Sequence, residues 1–257
     1  MTPDEEFMMQ YKGEVRDMRA DSELRDLTQR WFARANAFNY SYHFEAMGRP
    51  VIQYPQDLIA LQEIIHQVRP DVVIETGIAR GGSLIHSASQ LALLDVVDAI
   101  ASGSTINPRI SQRRVVGIDI DIREHNRAAI EAHPMSSRIE MIQGSSVDPR
   151  VVERVTSFIK PDRTVLVLLD SNHTHQHALA ELRAYAPLVS TGSYCVVYDT
   201  VIEHLPEGSF PDRPWEIGDN PMTAITEFLQ NHPEFQVDES ISDKLQITVA
   251  PKGYLRR

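Results

Sequence analysis

The sequence has very little cysteine: Cys195 is the single cysteine among 257 residues. One cysteine cannot form a disulfide within the chain, so the fold does not depend on such a crosslink. Cys195 lies within an apolar run, residues 194–198, that is typical of a strand. We expect a small buried side chain there, because nothing nearby in the sequence would clearly stabilise a nucleophilic thiolate.

The sequence also lacks long hydrophobic runs and clusters of basic residues. No apolar run approaches the roughly 20 residues that cross a bilayer, and residues 1–6 are acidic and polar, unlike a signal peptide. The net charge of −11 repels a phosphate backbone, and no stretch rich in lysine, arginine and aromatic residues offsets it. We therefore expect a cytoplasmic protein that binds neither nucleic acid nor a membrane.

The composition is that of an ordinary globular protein, with 42% hydrophobic and 24% charged residues. Residues 1–50 have helical character without a strand, and we predict a helical cap or lid there, ahead of a main domain over residues 51–257. The end of the predicted cap is crowded with aromatic residues: Trp31, Phe32, Phe38, Tyr40, Tyr42 and Phe44. We expect them to pack on the main domain; lining an acceptor pocket or joining subunits are the alternatives.

The main domain alternates apolar runs with helical patterns, which predicts an α/β fold with a mostly parallel sheet and right-handed crossovers. We count about seven strands: residues 72–76, 115–121, 138–143, 165–169 and 194–198, a short strand near Phe235, and an antiparallel C-terminal strand over 245–249. The carboxyl ends of parallel strands share one edge of the sheet. Glu75, Asp119, Asp170 and Asp199 should therefore meet along that edge.

The stretch 72–83 reads as a buried strand, a glycine-rich turn and the start of a helix. Its spacing, E-x-G-x-x-x-G-G-S, departs from the G-x-G-x-x-G fingerprint of dinucleotide-binding folds and disfavours NAD. Glycines in such a turn allow the backbone to approach a ligand closely. The alternative is a plain strand-to-helix turn with Ser83 as the helix N-cap.

This stretch resembles the first motif of the S-adenosylmethionine-dependent methyltransferases, which implies a Rossmann-like class I methyltransferase sheet. The resemblance implies that the strand end and the loop hold the amino-acid end of the cofactor: Glu75, Thr76, Gly77, Arg80, Gly81 and Ser83. It also implies that Ser145 and Ser146, in the turn after the third strand, lie near the adenine.

Asp119 follows the second strand of the predicted sheet, and an acid at this place is suited to accept hydrogen bonds from ribose hydroxyls. A helix N-cap or a solvent-facing acid are the alternatives.

Asp170 and Asp199 end the fourth and fifth strands. If these strands are neighbours, about 4.8 Å apart, the two carboxylates can converge on one hard cation such as Mg²⁺. The loop after Asp170 adds His173 as a candidate base and His175 as a second candidate, because a metal ion lowers the pKa of an acceptor hydroxyl while a histidine takes its proton. The alternative is that these histidines simply occupy a polar loop and helix start.

Four segments together narrow the resemblance: I-E-T-G-I-A-R-G-G-S-L, V-G-I-D-I-D, L-L-D-S-N-H-T-H and V-V-Y-D-T. From about Pro50 to the C-terminus the chain is similar to the cephalosporin hydroxylase family, which is related to metal-dependent O-methyltransferases of sugars and natural products. The resemblance implies Mg²⁺-assisted methyl transfer from S-adenosylmethionine to a hydroxyl of a small sugar-like or natural-product metabolite, with Asp170 also close to the cofactor. The family commonly carries two adjacent acids after strand five, where this chain has Tyr198-Asp199. Family members can be oligomeric, so we expect a homo-oligomer.

Two other functions stay open at this point. A non-haem iron hydroxylase would need two histidines and one carboxylate, which His173, His175 and Asp170 could supply, but the glycine loop and Asp119 would then have no purpose. A non-catalytic scaffold that binds the cofactor is the third possibility, and the departure at Tyr198 keeps it open.

Overall fold

The computed structural model describes all 257 residues. The helices are α1 (Pro3–Ala20), α2 (Ser22–Asn36), α3 (Pro55–Val68), α4 (Gly82–Ser102), α5 (Glu124–Glu131), α6 (Pro149–Thr156), α7 (His175–Tyr185), α8 (Pro221–Leu229) and α9 (Glu239–Leu245). The strands are β1 (Phe44–Ala46), β2 (Arg49–Val51), β3 (Val72–Thr76), β4 (Arg114–Asp119), β5 (Ile139–Gln143), β6 (Val165–Leu169), β7 (Tyr194–Val197), β8 (Gln236–Val237) and β9 (Tyr254–Arg256).

The main sheet has seven strands in the order β5-β4-β3-β6-β7-β9-β8. The first five of these run parallel, and β9 is antiparallel to both of its neighbours. Every residue of β3, β6 and β7 is buried, as expected for parallel strands covered by helices on both faces. The predicted α/β sheet, with an antiparallel strand near the C-terminus, is therefore confirmed.

Side chains alternate between two apolar cores, one on each face of the sheet. In β6, Leu166 and Leu168 point to the core that α3 and α4 cover, whereas Val167 and Leu169 point to the core that α7 and α8 cover. This is the two-residue period of a strand. Cys195 is fully buried in the second core, as expected from the sequence.

The last strand is not where the sequence predicts it. Residue 245 is the last residue of α9, and residues 246–249 form neither helix nor strand. The C-terminal strand is Tyr254–Arg256. The physical reason is the buried carboxylate of Asp57 on α3, which accepts hydrogen bonds from the Thr248 hydroxyl at 2.5 Å and from the Val249 backbone N–H at 3.0 Å. The Val249 N–H is therefore bonded to a side chain of α3 and is not free to pair with a neighbouring strand. The apolar side chain of Val249 packs in the core.

The N-terminal region contains a β-hairpin in addition to the predicted helices, so the expectation of no strand in residues 1–50 is wrong. Strands β1 and β2 pair antiparallel around Met47 and Gly48, which both have positive φ, 49° and 80°. Two residues with positive φ form the type of tight turn that joins antiparallel strands. Strands of only three residues show too little alternation to be recognised in a sequence.

Three of the six aromatic residues of this region, Trp31, Phe32 and Tyr40, pack on the main domain as expected, whereas Phe38 and Tyr42 are more than half exposed. Phe32 of α2 stacks on Tyr54 with ring centroids 4.7 Å apart and an interplanar angle of 9°. Trp31 and Tyr40 contact the same ring at 6.3 and 5.2 Å. Tyr54 immediately precedes α3, so this cluster fixes α2 against the main domain.

Helix α4 is the one helix with the length and composition of a membrane span. It connects β3 to β4 and contributes Leu84, Ala88 and Leu91 to a core cluster, all three fully buried. It is therefore a core helix of the α/β domain.

Candidate active site

A cavity of about 400 Å³ opens at the carboxyl ends of β3, β6 and β7. Its walls come from three parts of the chain: the glycine loop 77–83, the segment from Phe32 to Tyr54, and the loop after β7 as far as Trp215. Asp170, His173 and Asp199 line it as well. The structure thus brings the predicted loop, Asp170, Asp199 and His173 to one place at the predicted edge of the sheet, whereas Glu75 and Asp119 do not line the cavity.

The glycines of the loop are required by the packing of the chain on itself. Gly77 has φ +89°, and a Cβ there would lie 2.0 Å from the carbonyl oxygen of Asp170. Gly81 has φ +83°, and its Cβ would lie 2.4 Å from the side chain of Ile130 on α5. Both positions combine a left-handed backbone with close contact, which only glycine satisfies.

Thr76 does not face the cavity. It is fully buried, and its carbonyl oxygen accepts a hydrogen bond from the Asp170 backbone N–H at 3.0 Å. This hydrogen bond joins the ends of β3 and β6, and contact of Thr76 with a cofactor stays a prediction.

Glu75 is a buried carboxylate with one oxygen free. The Ser83 hydroxyl donates a hydrogen bond to Oε1, while Oε2 is buried without any partner. Burial raises the pKa of Glu75 to about 7, and the hydrogen bond from Ser83 opposes this shift. A buried oxygen without a partner is costly, so the site suits a ligand that brings a cationic donor. Ser83 is not the helix N-cap, because Gly81 takes that position.

Asp119 supports the glycine loop from the neighbouring strand β4. Its Oδ2 accepts hydrogen bonds from the backbone N–H groups of Ile78 and Ala79 at 2.8 and 3.2 Å, and its Oδ1 accepts one from Asp121 at 3.0 Å. It does not cap a helix, since α5 begins after Arg123. Oδ2 therefore uses both of its lone pairs, whereas Oδ1 keeps one, so ribose binding through Oδ1 stays compatible with this arrangement.

Two polar side chains outside the sheet edge also hold the loop. Arg49 of the N-terminal hairpin donates to the carbonyl oxygen of Arg80 at 2.5 Å, and the Asn126 amide donates to that of Ala79 at 3.0 Å. The Arg80 residue itself is exposed. Sequence reasoning missed Arg49 and Asn126, and no local pattern could have found them, because these contacts join distant parts of the chain.

Ser145 and Ser146 do not line the cavity. Ser146 is buried; its hydroxyl lies 3.1 Å from His177 Nε2, and its carbonyl oxygen accepts a hydrogen bond from Tyr185 at 2.7 Å. Glu181 Oε1 also lies 3.4 Å from His177 Nε2. This serine, histidine and glutamate do not form a hydrolase triad, because a triad uses both ring nitrogens and here one nitrogen makes both contacts.

The carboxylates of Asp170 and Asp199 converge with the His173 imidazole. One ligand atom from each lies within 4.8 Å of the others, and His173 Nε2 is 3.0 Å from Asp199 Oδ2. Strands β6 and β7 are hydrogen-bonded neighbours, which explains why their terminal acids meet. Burial and the nearby carboxylates of Asp199 and Glu75 raise the pKa of Asp170 well above its ordinary value.

A divalent cation fits this cluster. Two carboxylates and one imidazole supply oxygen and nitrogen donors of the kind that bind divalent metals. Positive charge between Asp170 and Asp199 would remove the repulsion that raises the Asp170 pKa. Trp215 packs edge-on against His173 with ring centroids 4.6 Å apart and limits the movement of the imidazole.

His175 lies outside the cluster of Asp170, His173 and Asp199, and its role as a second base stays a prediction that these contacts do not support. Its Nδ1 is 2.8 Å from the Thr223 hydroxyl and its Nε2 is 3.2 Å from Glu227 Oε2, both on α8. The arrangement of two histidines and one carboxylate that an iron hydroxylase needs is therefore not formed. The structure assembles one histidine and two carboxylates instead.

Tyr198 does not contribute to the cluster of Asp170, His173 and Asp199 either. Its side chain is only 5% exposed and belongs to the apolar core together with Tyr254 and Leu205. His173 is thus the third polar group of the cluster.

Comparison with known proteins gives a consistent result. Residues 38–257 match the sequence profile of the family described as Rhamnosyl O-methyltransferase/CmcI. The chain is 27% identical over 207 residues to the Rhamnosyl O-methyltransferase of Mycobacterium tuberculosis (strain ATCC 25618 / H37Rv), a match that covers 78% of this chain and 73% of that protein. The Mycobacterium leprae (strain TN) protein of the same name is 26% identical over 215 residues, with 82% of each chain covered.

Solved structures show the same fold. A CmcI apo-structure superposes with a TM-score of 0.55 at 19% identity, covering 84% of this chain and 76% of that one. A CmcI structure with Mg and SAM superposes with a TM-score of 0.52 at 17% identity, covering 84% of this chain and 77% of that one.

Proposed function

The chain belongs to the Rhamnosyl O-methyltransferase/CmcI family, and from this premise we propose that it is an S-adenosylmethionine-dependent, Mg²⁺-assisted O-methyltransferase. The acceptor is a hydroxyl of a small sugar-like or natural-product metabolite. The observation that carries the proposal is the convergence of Asp170, His173 and Asp199 in the cavity that the glycine loop also lines.

The cofactor is proposed to lie over the glycine loop. Glu75 keeps one buried oxygen without a partner next to Ser83, which suits the ammonium group of the cofactor's amino-acid end. Asp119, one strand further along the sheet, is proposed to accept from the ribose hydroxyls. Ser145 stays a proposed neighbour of the adenine, whereas the Ser146 hydroxyl is already engaged by His177.

Asp170 and Asp199 are the residues that would hold the cation. A bound Mg²⁺ lowers the pKa of a hydroxyl and orients it, and S-adenosylmethionine supplies an electrophilic methyl group. The residues of the chain then act on the acceptor. His173 would take up the proton that the acceptor hydroxyl loses on methylation, through the ring nitrogen that does not face Asp199. Asp199 Oδ2, 3.0 Å from Nε2, would stabilise the resulting imidazolium.

The cellular setting and the division of the chain are part of the same proposal. A charge of −11 supports a cytoplasmic protein that acts on small molecules and binds neither nucleic acid nor a membrane. The family profile begins at residue 38, which supports an N-terminal cap over residues 1–50 and a methyltransferase domain over 51–257. We also propose a homo-oligomer.

Calorimetric titration with S-adenosylmethionine and S-adenosylhomocysteine, with and without Mg²⁺, tests the proposal. Both compounds should bind, and transfer of a labelled methyl group to members of a panel of glycosides should require the cation. If neither compound binds, the proposal is wrong. Binding without transfer to any acceptor in the panel would leave a cofactor-binding scaffold instead of an enzyme.

A further inference from the structure

The hydroxyl group of Tyr54 is buried without a hydrogen-bond partner. Tyr54 is only 2% exposed, and no atom of the chain accepts a hydrogen bond from its hydroxyl. The three other tyrosines among the largest fully buried side chains each donate to an acceptor in the chain: Tyr185, Tyr194 and Tyr254. A buried polar group without a partner is costly, so the exception at Tyr54 indicates a partner that is not part of the chain.

Tyr54 lines the cavity of the candidate active site together with Asp199. Burial, and then the carboxylate of Asp199, raise the pKa of Tyr54 to about 12. The hydroxyl therefore keeps its proton and acts as a hydrogen-bond donor. The carboxylate of Asp57 also acts on it, but both oxygens of Asp57 already accept hydrogen bonds from the C-terminal segment.

The surrounding residues hold the Tyr54 ring in one orientation. The ring stacks on Phe32 at 4.7 Å and packs against Tyr40 at 5.2 Å and Trp31 at 6.3 Å between centroids. The Tyr54 backbone is fixed as well, since its N–H donates to Gln53 Oε1 at 3.1 Å. A donor that is fixed before its ligand arrives loses little conformational freedom on binding. The Tyr54 hydroxyl is thus a preorganised donor in the wall of the cavity.

We propose that Tyr54 donates a hydrogen bond to the methyl acceptor, at an oxygen on the carbon next to the one that bears the reacting hydroxyl. This inference rests on the proposed function and narrows its substrate class to molecules with oxygens on adjacent carbons. A donor on the reacting oxygen itself would occupy a lone pair that the new bond to the methyl carbon needs. A neutral oxygen fits better than an anionic group, because Asp170 and Asp199 make this part of the cavity negative.

Urea unfolding of the free protein tests the premise and needs no acceptor. Tyr54→Phe removes a hydroxyl that has no partner, so the midpoint of unfolding should stay equal or rise. Tyr194→Phe is the matched control: it removes a hydroxyl that donates to Asp238 at 2.8 Å, at the start of β7 and away from the cavity, and the midpoint should fall. An equal fall in both variants would show that the Tyr54 hydroxyl has a partner in the chain, and would overturn the proposal.

Methyl transfer to glycosides and to their monodeoxy forms tests the contact itself. With a glycoside that the parent protein methylates, Tyr54→Phe should lower kcat/KM about tenfold or more, because the hydrogen bond to the acceptor is lost. The monodeoxy form that lacks the hydroxyl next to the methylated position should lose a similar factor with the parent protein and little more with Tyr54→Phe, since both changes remove the same bond. Tyr194→Phe should keep the kcat/KM of the parent protein. Equal kcat/KM in Tyr54→Phe and the parent protein, or losses that simply multiply, would overturn the proposal.

Calorimetry separates this inference from the proposed function. S-adenosylhomocysteine and Mg²⁺ should each bind Tyr54→Phe and the parent protein with the same affinity. If S-adenosylhomocysteine binds neither protein, the proposed function fails. If it binds both and Tyr54→Phe discriminates between a glycoside and its monodeoxy form as the parent protein does, only the inference about Tyr54 fails. A lower affinity for Mg²⁺ in Tyr54→Phe would show that the hydroxyl acts through Asp199, and would overturn its assignment to the acceptor.

Discussion

In the candidate active site, Nε2 of His173 lies 3.0 Å from Oδ2 of Asp199. The two residues come from different strand ends, β6 and β7, and the imidazole is fixed from its other side by Trp215 at 4.6 Å. An imidazole next to a carboxylate is stabilised when it takes up a proton. This relationship supports the proposed role of His173 as proton acceptor, on which the first prediction rests.

Replacement of His173 by alanine should lower turnover by about 100- to 10,000-fold, the usual contribution of a general base. The affinity for S-adenosylhomocysteine should stay nearly unchanged, because His173 is not part of the glycine loop. Single-turnover kinetics and calorimetry measure the two quantities. His175→Ala is the control: its ring contacts Thr223 and Glu227, so it should change stability more than rate. Equal turnover in His173→Ala and the parent protein would exclude His173 as the base.

Replacement of Asp199 by asparagine should abolish the stimulation of activity by Mg²⁺. It removes one of two carboxylates that converge in the cluster, and the affinity for the cation should fall on the order of 10- to 100-fold or more. Titration with Mg²⁺ followed by calorimetry measures this. Asp212→Asn, an exposed acid in the loop after β7, should behave like the parent protein. Retained Mg²⁺ stimulation in Asp199→Asn would place the cation elsewhere.

The pH dependence of stability should change in Glu75→Gln. Burial raises the pKa of Glu75 to about 7 in the folded protein, against about 4.3 in an unfolded chain. Between these values the folded state binds more protons than the unfolded state, so the free energy of unfolding falls as the pH rises from about 4.3 to 7, by about 4 kcal/mol in total. Urea unfolding at pH 5 and pH 8, without ligand, should show this decline in the parent protein and a smaller one in Glu75→Gln. An equal decline in both proteins would contradict the prediction.

Gly77→Ala should destabilise the protein far more than an alanine at a comparable glycine. Its Cβ would lie 2.0 Å from the Asp170 carbonyl oxygen, at φ +89°, and strain plus overlap should cost about 3 kcal/mol or more. Gly103 has φ +65° with nothing within 4 Å of the added atom, so Gly103→Ala should cost only about 1 kcal/mol. Chemical unfolding of both variants checks the difference. Similar losses would mean that the backbone conformation alone accounts for the effect.

The acids at the sheet edge could be predicted because parallel strands fix where their carboxyl ends lie. Asp170 and Asp199 each end a continuous apolar run, and no knowledge of the loops was needed to place them together. His173 follows from the same reasoning, since it lies three residues beyond a strand end. His175 is two residues further and begins α7, where the helix turns its side chain toward α8. Sequence spacing alone does not show at which residue α7 begins, and so does not show which way the His175 side chain points.

The remaining differences arise from contacts between distant residues. The pattern over residues 245–249 suits a strand, but Asp57, far away in the sequence, binds the backbone of Val249 and prevents it. Arg49 reaches the glycine loop only because the short hairpin folds back onto it. The glycines of that loop were expected to make room for a ligand, yet Gly77 and Gly81 make room for the chain itself. Local patterns carry no information about such partners.

The loop between β3 and α4 is held from four directions by Asp119, Arg49, Asn126 and the Asp170 backbone. A preorganised binding loop loses little conformational freedom when a small molecule binds, so most of the contact energy is retained as affinity. Binding of a ligand to this loop should therefore be fast and should not wait for a slow rearrangement of the chain.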